Sequence, residues 1–271
     1  MILKAYAKIN LYLDIIGILP NGFHEIETIM QLISLHDEIK LKIDEAGMGV
    51  EILVDKIDIP ADERNIAYMA AEAFLSAANK RAKVVINIKK NIPSGAGLGG
   101  GSADGAAILK GLNVYYNNIF GSEKLCEIGS AIGADIPFCI IGGRALCKGK
   151  GEIITPLSKG EKQYYIIIKP EFSCSTAEAY KLYDKNPMLI KGNSIGYYNV
   201  FEELYNDSRI YDIKSELISA GADNAMMTGS GSAVFGIFYD KKKAEAAFDK
   251  LEYKEKYLAE GIYDSDQKSF G

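Results

Sequence analysis

Residues 93–107 read Pro-Ser-Gly-Ala-Gly-Leu-Gly-Gly-Gly-Ser-Ala-Asp-Gly-Ala-Ala, with five glycines inside seven positions. No other stretch of this chain restricts its fold so tightly. Without a Cβ, glycine reaches φ > 0 and lets backbone N–H groups come close to an anion. The alanine-rich pattern from Ser102 predicts a helix whose positive end faces that anion. The alternative is a flexible linker, but linkers are seldom set between a β-type run, here Val84–Ile88, and a helix. The combination predicts a cradle for a di- or triphosphate.

Known phosphate loops can be sorted by what surrounds them. Gly95, Gly97 and Gly100 match the dinucleotide pattern G-x-G-x-x-G. That loop should leave its strand directly, with an acidic residue about 20 positions on, at the end of the next strand. Here Lys89–Ser94 intervene, and Phe120-Gly121-Ser122-Glu123 reads as a connection between helices. No Gly-Lys-Ser/Thr closes a Walker loop. The lysine strand, HRD and DFG set of a protein kinase is missing too.

The chain has 271 residues, 48% of them hydrophobic, enough for one large or two moderate domains with a real core. A net charge of −5 argues against a nucleic-acid surface. The four cysteines lack CxxC spacing and read as reduced, mostly buried thiols rather than disulfides or zinc ligands. Met1–Tyr6 has no signal-peptide architecture and no apolar run approaches membrane-spanning length, so a cytoplasmic protein without membrane contacts is expected.

Periodicity predicts strands over 4–15, 23–34, 37–43 and 50–54, with Leu19-Pro20-Asn21-Gly22 as a turn. A helix is expected over 65–79, a strand over 83–89, and helices over 102–113 and 122–132. A hairpin follows about Gly149–Gly151. The polar stretch Ser158–Gln163 is taken as a domain boundary, giving 1–158 and 159–271. Beyond it, strands are expected over 164–169, 225–228 and 233–238, and helices over 175–184, 199–204, 212–220 and 241–251. The order predicts an α+β protein with two layered domains.

If the cradle holds ATP for transfer of a phosphoryl group to an alcohol, that chemistry requires held phosphates and Mg²⁺, a cation against the growing charge, and an acceptor for the hydroxyl proton. Lys8 is the candidate cation, in a segment buried on one face and beside Asn10; it could equally be a lysine on an edge strand. Asp135 lies in the apolar run Gly133-Ala134-Asp135-Ile136-Pro137-Phe138. Carboxylates avoid such places unless paired or functional. Alternatively it caps a following helix with Pro137 in its first turn.

Pro93, Gly97-Leu98-Gly99 and Ser102-Ala103 match the pattern Pro-x-x-x-Gly-Leu-Gly-Ser-Ser-Ala. On this match the loop resembles the second motif of the GHMP small-molecule kinases, named for galactokinase, homoserine, mevalonate and phosphomevalonate kinases. Five segments occur in the order of one branch: Ala7-Lys8-Ile9-Asn10-Leu11, Asn21-Gly22-Phe23-His24-Glu25, the loop with its extra Gly100-Gly101, Gly133–Phe138, and Thr228-Gly229-Ser230-Gly231. They resemble the 4-diphosphocytidyl-2-C-methyl-D-erythritol kinase family, and span nearly the whole chain.

The resemblance implies an α+β, two-domain GHMP-kinase fold, with an N-terminal domain like domain 2 of ribosomal protein S5 and a ferredoxin-like C-terminal domain. It implies ATP as co-substrate, Mg²⁺ as cofactor with unknown ligands, and a cytidine-diphosphate-linked methylerythritol as acceptor. The phosphate goes to that compound's 2-hydroxyl. Lys8 and Asp135 inherit the positions flanking the hydroxyl. ATP is assigned to Pro93, Ser94, Gly95, Ala96, Gly97, Leu98, Gly99, Gly100, Gly101, Ser102 and Ala103. Asn65 matches a segment near the adenine, for which helix capping is an equally good account. Asn10, Phe23, His24 and Thr176 match positions that line the acceptor pocket, with His24 on the cytosine. Both monomer and homodimer stay open. Four departures stand out: Tyr6 for a proline, Phe23 for a tyrosine, Ala103 for a second serine, and Asn199-Val200-Phe201-Glu202 for Asn-Asp-Leu-Glu.

Overall fold

The computed structural model describes residues 1–187 and 196–263; residues 188–195 and 264–271 of the expected second block lie outside the described residues. The chain opens with one long antiparallel hairpin, β1 (Ile2–Ile18) and β2 (His24–Asp44). Its turn is closed by Leu19 N–H donating to the Phe23 carbonyl at 2.7 Å. Where alternation predicts separate strands over 23–34 and 37–43, one strand runs through. Its polar Asp37 is fully buried rather than in a turn. The pairing slips between Tyr6 and Lys8 and again between Asn10 and Tyr12, the signature of bulges that re-aim side chains.

Next come β3 (Gly49–Val54), α1 (Ile66–Ala77), β4 (Lys83–Lys89), α2 (Gly100–Tyr115), α3 (Ser122–Ser130), α4 (Ile136–Ile141), β5 (Arg144–Lys148) and β6 (Ile153–Pro156). The order β3-β4-β2-β1 makes the body of the first sheet, and β5 pairs with β2 and β6. Helices α1 and α2 cover one face. Ile9, Leu32, Ile39, Leu41, Val84, Ile86 and Ile88 supply the sheet side of that core; Phe74, Ile108, Leu109 and Leu112 supply the helix side. Each such side chain, fully buried, contributes about 1.5–3 kcal/mol.

The second half contains β7 (Tyr164–Ile168), α5 (Thr176–Lys185), β8 (Tyr198–Asn199), α6 (Val200–Tyr205), α7 (Ser208–Ser219), β9 (Asn224–Met227), β10 (Val234–Phe238), α8 (Lys241–Lys250) and β11 (Lys256–Glu260). Its antiparallel sheet has the order β11-β7-β10-β9. Strand–helix–strand, strand–helix–strand with the last strand beside the first is the ferredoxin-like arrangement that the resemblance implies. Strand β11 escapes a reading by alternation because Leu251–Glu260 is rich in charge.

The two sheets are tied together. Short β8 leaves its own half and pairs in parallel with Tyr12–Leu13 of β1. Past β11, Ile262 N–H donates to the Leu32 carbonyl at 2.8 Å. Among the described residues no helix is long and apolar enough to cross a membrane, and the four cysteines are free.

Candidate active site

The phosphate loop leaves β4 and turns three times through glycines with positive φ: Gly95 at 61°, Gly97 at 75° and Gly99 at 68°. Two of these positions need glycine for space as well. A Cβ on Gly97 would stand 2.2 Å from the Thr228 carbonyl oxygen, and one on Gly99 would stand 3.0 Å from Lys8 Cγ. Because Gly99 takes the left-handed turn, α2 begins at Gly100, two residues before the alanine pattern predicts. No side chain caps that start. Asn65, Ser175, Asn199, Asp207 and Asp240 do cap α1, α5, α6, α7 and α8. The free N–H groups of α2 therefore remain for an anion.

The loop lies between the two halves of the molecule. Lys8 N–H donates to the Leu98 carbonyl at 3.0 Å, and Ala233 N–H to the Ala96 carbonyl at 3.2 Å. The Thr228 hydroxyl donates to the Gly97 carbonyl at 3.3 Å. Behind the loop, the Lys90 ammonium sits between the carboxylates of Asp104, at 2.7 Å, and Asp37. Asp37 also accepts from the backbone N–H of Asn91 at 2.6 Å and Ile92 at 2.8 Å. This cluster joins β2, the loop entry and the first turn of α2. Burial opposes the charge on Lys90, but Asp104 and Asp37 outweigh it and raise its pKa. Burial pushes Asp104 up to about 7, against the pull of Lys90 and with the push of Asp37.

A cleft of about 1050 Å³ opens in front of the loop, with residues from both halves on its walls. Lys8, Asn10, Phe23, His24, Asn65, Pro93 through Ser102, Asp135 and Thr176 all line it. Ala103 does not. It is 2% exposed and packed in the core, and its N–H donates to the Gly99 carbonyl, because one residue past Ser102 the helix has turned that side chain inward. A serine hydroxyl there would face the same core.

Lys8 and Asp135 meet. The Lys8 ammonium lies 3.5 Å from Asp135 Oδ2 and donates to Asn10 Oδ1 at 2.7 Å. Asp135 occupies the capping position of α4, yet its side chain makes no capping hydrogen bond. Its carboxylate turns to the cleft, where it is 29% exposed, while Lys8 is only 6% exposed. The ammonium is thus shielded and the carboxylate reachable.

At the far end, His24 stacks on Tyr180 at 4.7 Å between centroids and shares a 2.7 Å hydrogen bond between Nε2 and Asp184 Oδ1. Phe23 stands 59% exposed beside it, with the Lys150 ammonium 5.4 Å from its ring centroid. Burial pushes the Tyr180 hydroxyl up to about 12, and the Asp135 charge adds to the shift. Thr176 Oγ1 shares a 2.7 Å hydrogen bond with Ser230 Oγ. Asn65 caps α1 through Ala67 N–H and donates to the Pro60 carbonyl. Both ends of its amide are engaged, so it offers the cleft chiefly shape.

Reading by motif missed Lys90, Asp37, Asp104, Tyr180 and Asp184. Asp104 carried one usable signal, a lone carboxylate in a glycine- and alanine-rich stretch; Lys90 and Asp37, each beside another charged residue, carried none. Tyr180 and Asp184 carried none, since helix spacing alone does not say which face meets a distant turn.

Comparison with known proteins bears on the family and the fold. Residues 65–143 match the GHMP kinases N-terminal domain, and residues 204–256 the GHMP kinases C-terminal domain. A 4-diphosphocytidyl-2-C-methyl-D-erythritol kinase from Clostridium tetani is 40% identical, over 97% of this chain and 100% of the relative. One from Clostridium botulinum is 40% identical over 95% and 97%. A crystal structure of a 4-(cytidine 5'-diphospho)-2C-methyl-D-erythritol kinase aligns with a TM-score of 0.80 at 28% identity, covering 96% of this chain and 99% of that one. The mevalonate kinase of L. major, at 16% identity and a TM-score of 0.72, shares the fold.

Proposed function

The chain belongs to the 4-diphosphocytidyl-2-C-methyl-D-erythritol kinases of the GHMP kinases, and on that footing we propose how its cleft performs their reaction. The enzyme moves the γ-phosphoryl group of ATP to the 2-hydroxyl of 4-diphosphocytidyl-2-C-methyl-D-erythritol, a step of the non-mevalonate isoprenoid precursor pathway. In the proposed assignment, residues Pro93–Ser102 hold the triphosphate with their bare backbone and the open end of α2. The acceptor hydroxyl sits between Lys8 and Asp135. Asp135 accepts its hydrogen bond and takes the proton as the new O–P bond forms. Lys8 offsets the charge on the transferring group while the bond to the β-phosphate oxygen breaks. Little base strength is asked of Asp135, because the transition state is loose.

Phe23, His24, Thr176 and Asn10 form the acceptor side of this reading, with the cytosine against Phe23 and His24, and Tyr180 as a further aromatic wall. Among the described residues no cluster of three or more His, Cys, Asp or Glu side chains forms a metal cage. That fits Mg²⁺, which binds mostly through substrate phosphates and water. Ser102 and Asp135 are the oxygen donors that would complete its shell, and the ion would supply neutralisation of the phosphate oxygens. The domains are drawn at 1–158 and 159–271, following the two sheets, and the protein is assigned to the cytoplasm.

The observation that carries the reading is the 3.5 Å approach of Lys8 to Asp135 beside the glycine loop. The test pairs ATP consumption with three acceptors: the cytidine-diphosphate compound, mevalonate and homoserine. Turnover is expected only with the first. Asp135→Asn should keep ATP binding and cut kcat by about a hundredfold or more. An unchanged kcat removes Asp135 from the chemistry.

A further inference from the structure

We propose that Thr28, a buried residue of β2, is a positioning residue for Lys8: its hydroxyl decides which end of the Asn10 amide faces the ammonium. The proposal rests on the reading of Lys8 as the catalytic cation. Thr28 Oγ1 lies 2.6 Å from the Tyr12 carbonyl oxygen, which can only accept. The single hydroxyl proton is therefore committed there. What remains on Oγ1 are lone pairs, so the Asn10 group at 2.8 Å must be the NH₂.

With its NH₂ so placed, the amide turns its oxygen toward Lys8, which can only donate, at 2.7 Å. The same oxygen lies 3.3 Å from Thr228 Oγ1, and Asn10 N–H donates to Thr228 Oγ1 at 3.0 Å. Turning the amide over would set NH₂ against NH₃⁺ on one side and oxygen against oxygen on the other. Thr28 is 0% exposed and Asn10 2%, so water cannot repair the mismatch. The Asn10 contact is shorter than the 3.5 Å approach to Asp135, so the amide sets where the ammonium sits. The bulges in β1 on either side of Asn10 aim Lys8 and Asn10 into this arrangement.

The test is a kinetic cycle on the full chain with Thr28→Val, Thr28→Ser, Asn10→Ala and the Thr28→Val/Asn10→Ala pair. Thr28→Val keeps the shape and removes the acceptor. It should lower kcat about tenfold, with KM for ATP and for the acceptor nearly unchanged, because only transition-state alignment is disturbed. Thr28→Ser should restore wild-type kcat. Once Asn10 is alanine there is no amide to orient, so adding Thr28→Val should cost no further kcat although it still lowers Tm. Thr28→Ala serves if the valine variant does not fold. The proposal is overturned if Thr28→Val lowers kcat equally with and without the Asn10 amide, if serine fails to restore it, or if only KM changes. Lys8→Met separates the two layers: wild-type kcat in that variant would sink the underlying reading, whatever Thr28 does.

Discussion

Gly97→Ala is the sharpest test of how the phosphate loop is built. At φ 75° an added Cβ first meets left-handed strain, about 1–2 kcal/mol, part of which is returned by a less flexible unfolded chain. It next meets the Thr228 carbonyl oxygen at 2.2 Å, so about 1 Å of separation has to be found in a packed region. That oxygen already accepts from Gly231 N–H at 2.9 Å, and Gly97's own carbonyl receives the Thr228 hydroxyl. Pushing the strands apart disturbs both, a further cost of about 1–3 kcal/mol. The sum is about 2–4 kcal/mol. Gly221→Ala is the control, since its φ is 104° but an added Cβ meets nothing within 4 Å. Urea melts should show the Gly221 variant losing only the strain, about 1 kcal/mol, and the Gly97 variant losing clearly more. A displacement of about 1 Å in a phosphate-holding loop should also cost about a hundredfold in kcat. Equal stability losses in the two variants, or an unchanged kcat for Gly97→Ala, would refute the account.

Other consequences can be measured separately. His24→Ala should raise KM for the cytidine substrate and leave that for ATP alone; parallel rises in both would contradict base recognition. Asp104 holds its proton to about pH 7 in the folded chain against 3.8 when free. Its stabilising contribution is therefore full below about pH 4 and lost as pH rises to about 7. Asp104→Asn should flatten that part of the stability–pH curve, and an identical slope in the two proteins argues against the shift. Burial, with the charge of Asp135 adding, pushes the thiols of Cys139 and Cys147 up to about 12. Both should resist alkylation at pH 8 until the protein unfolds, and rapid native labelling of all four cysteines would contradict their placement.

The glycine loop and its following helix were legible because each rests on residue types with few other uses. The meeting of Lys8 with Asp135 followed only from the resemblance, since a lysine on an edge strand and an aspartate at a helix start have ordinary structural uses. The least legible region was the hairpin. Lys8 and Asn10 read as a polar interruption of the first strand, and Asp37 as the start of a separate one. In the fold the strand continues and the polar groups face inward, because each finds a partner there: Asn10 for Lys8, Thr28 for Asn10, Lys90 for Asp37. Partners 18 and 53 residues away, as for Asn10 and Asp37, leave no periodic trace in the sequence. Strand β8 hid for another reason. Two residues cannot show a period, and what orders them is β1, laid down long before.

The brace on the phosphate loop has a temporal side. Ala96 and Gly97 lean on Ala233 and Thr228, which leave the ribosome more than a hundred residues later. Until then the loop has only the N-terminal half behind it, through Lys8 and the Lys90 cluster. The loop is thus fully braced only after both sheets have been made.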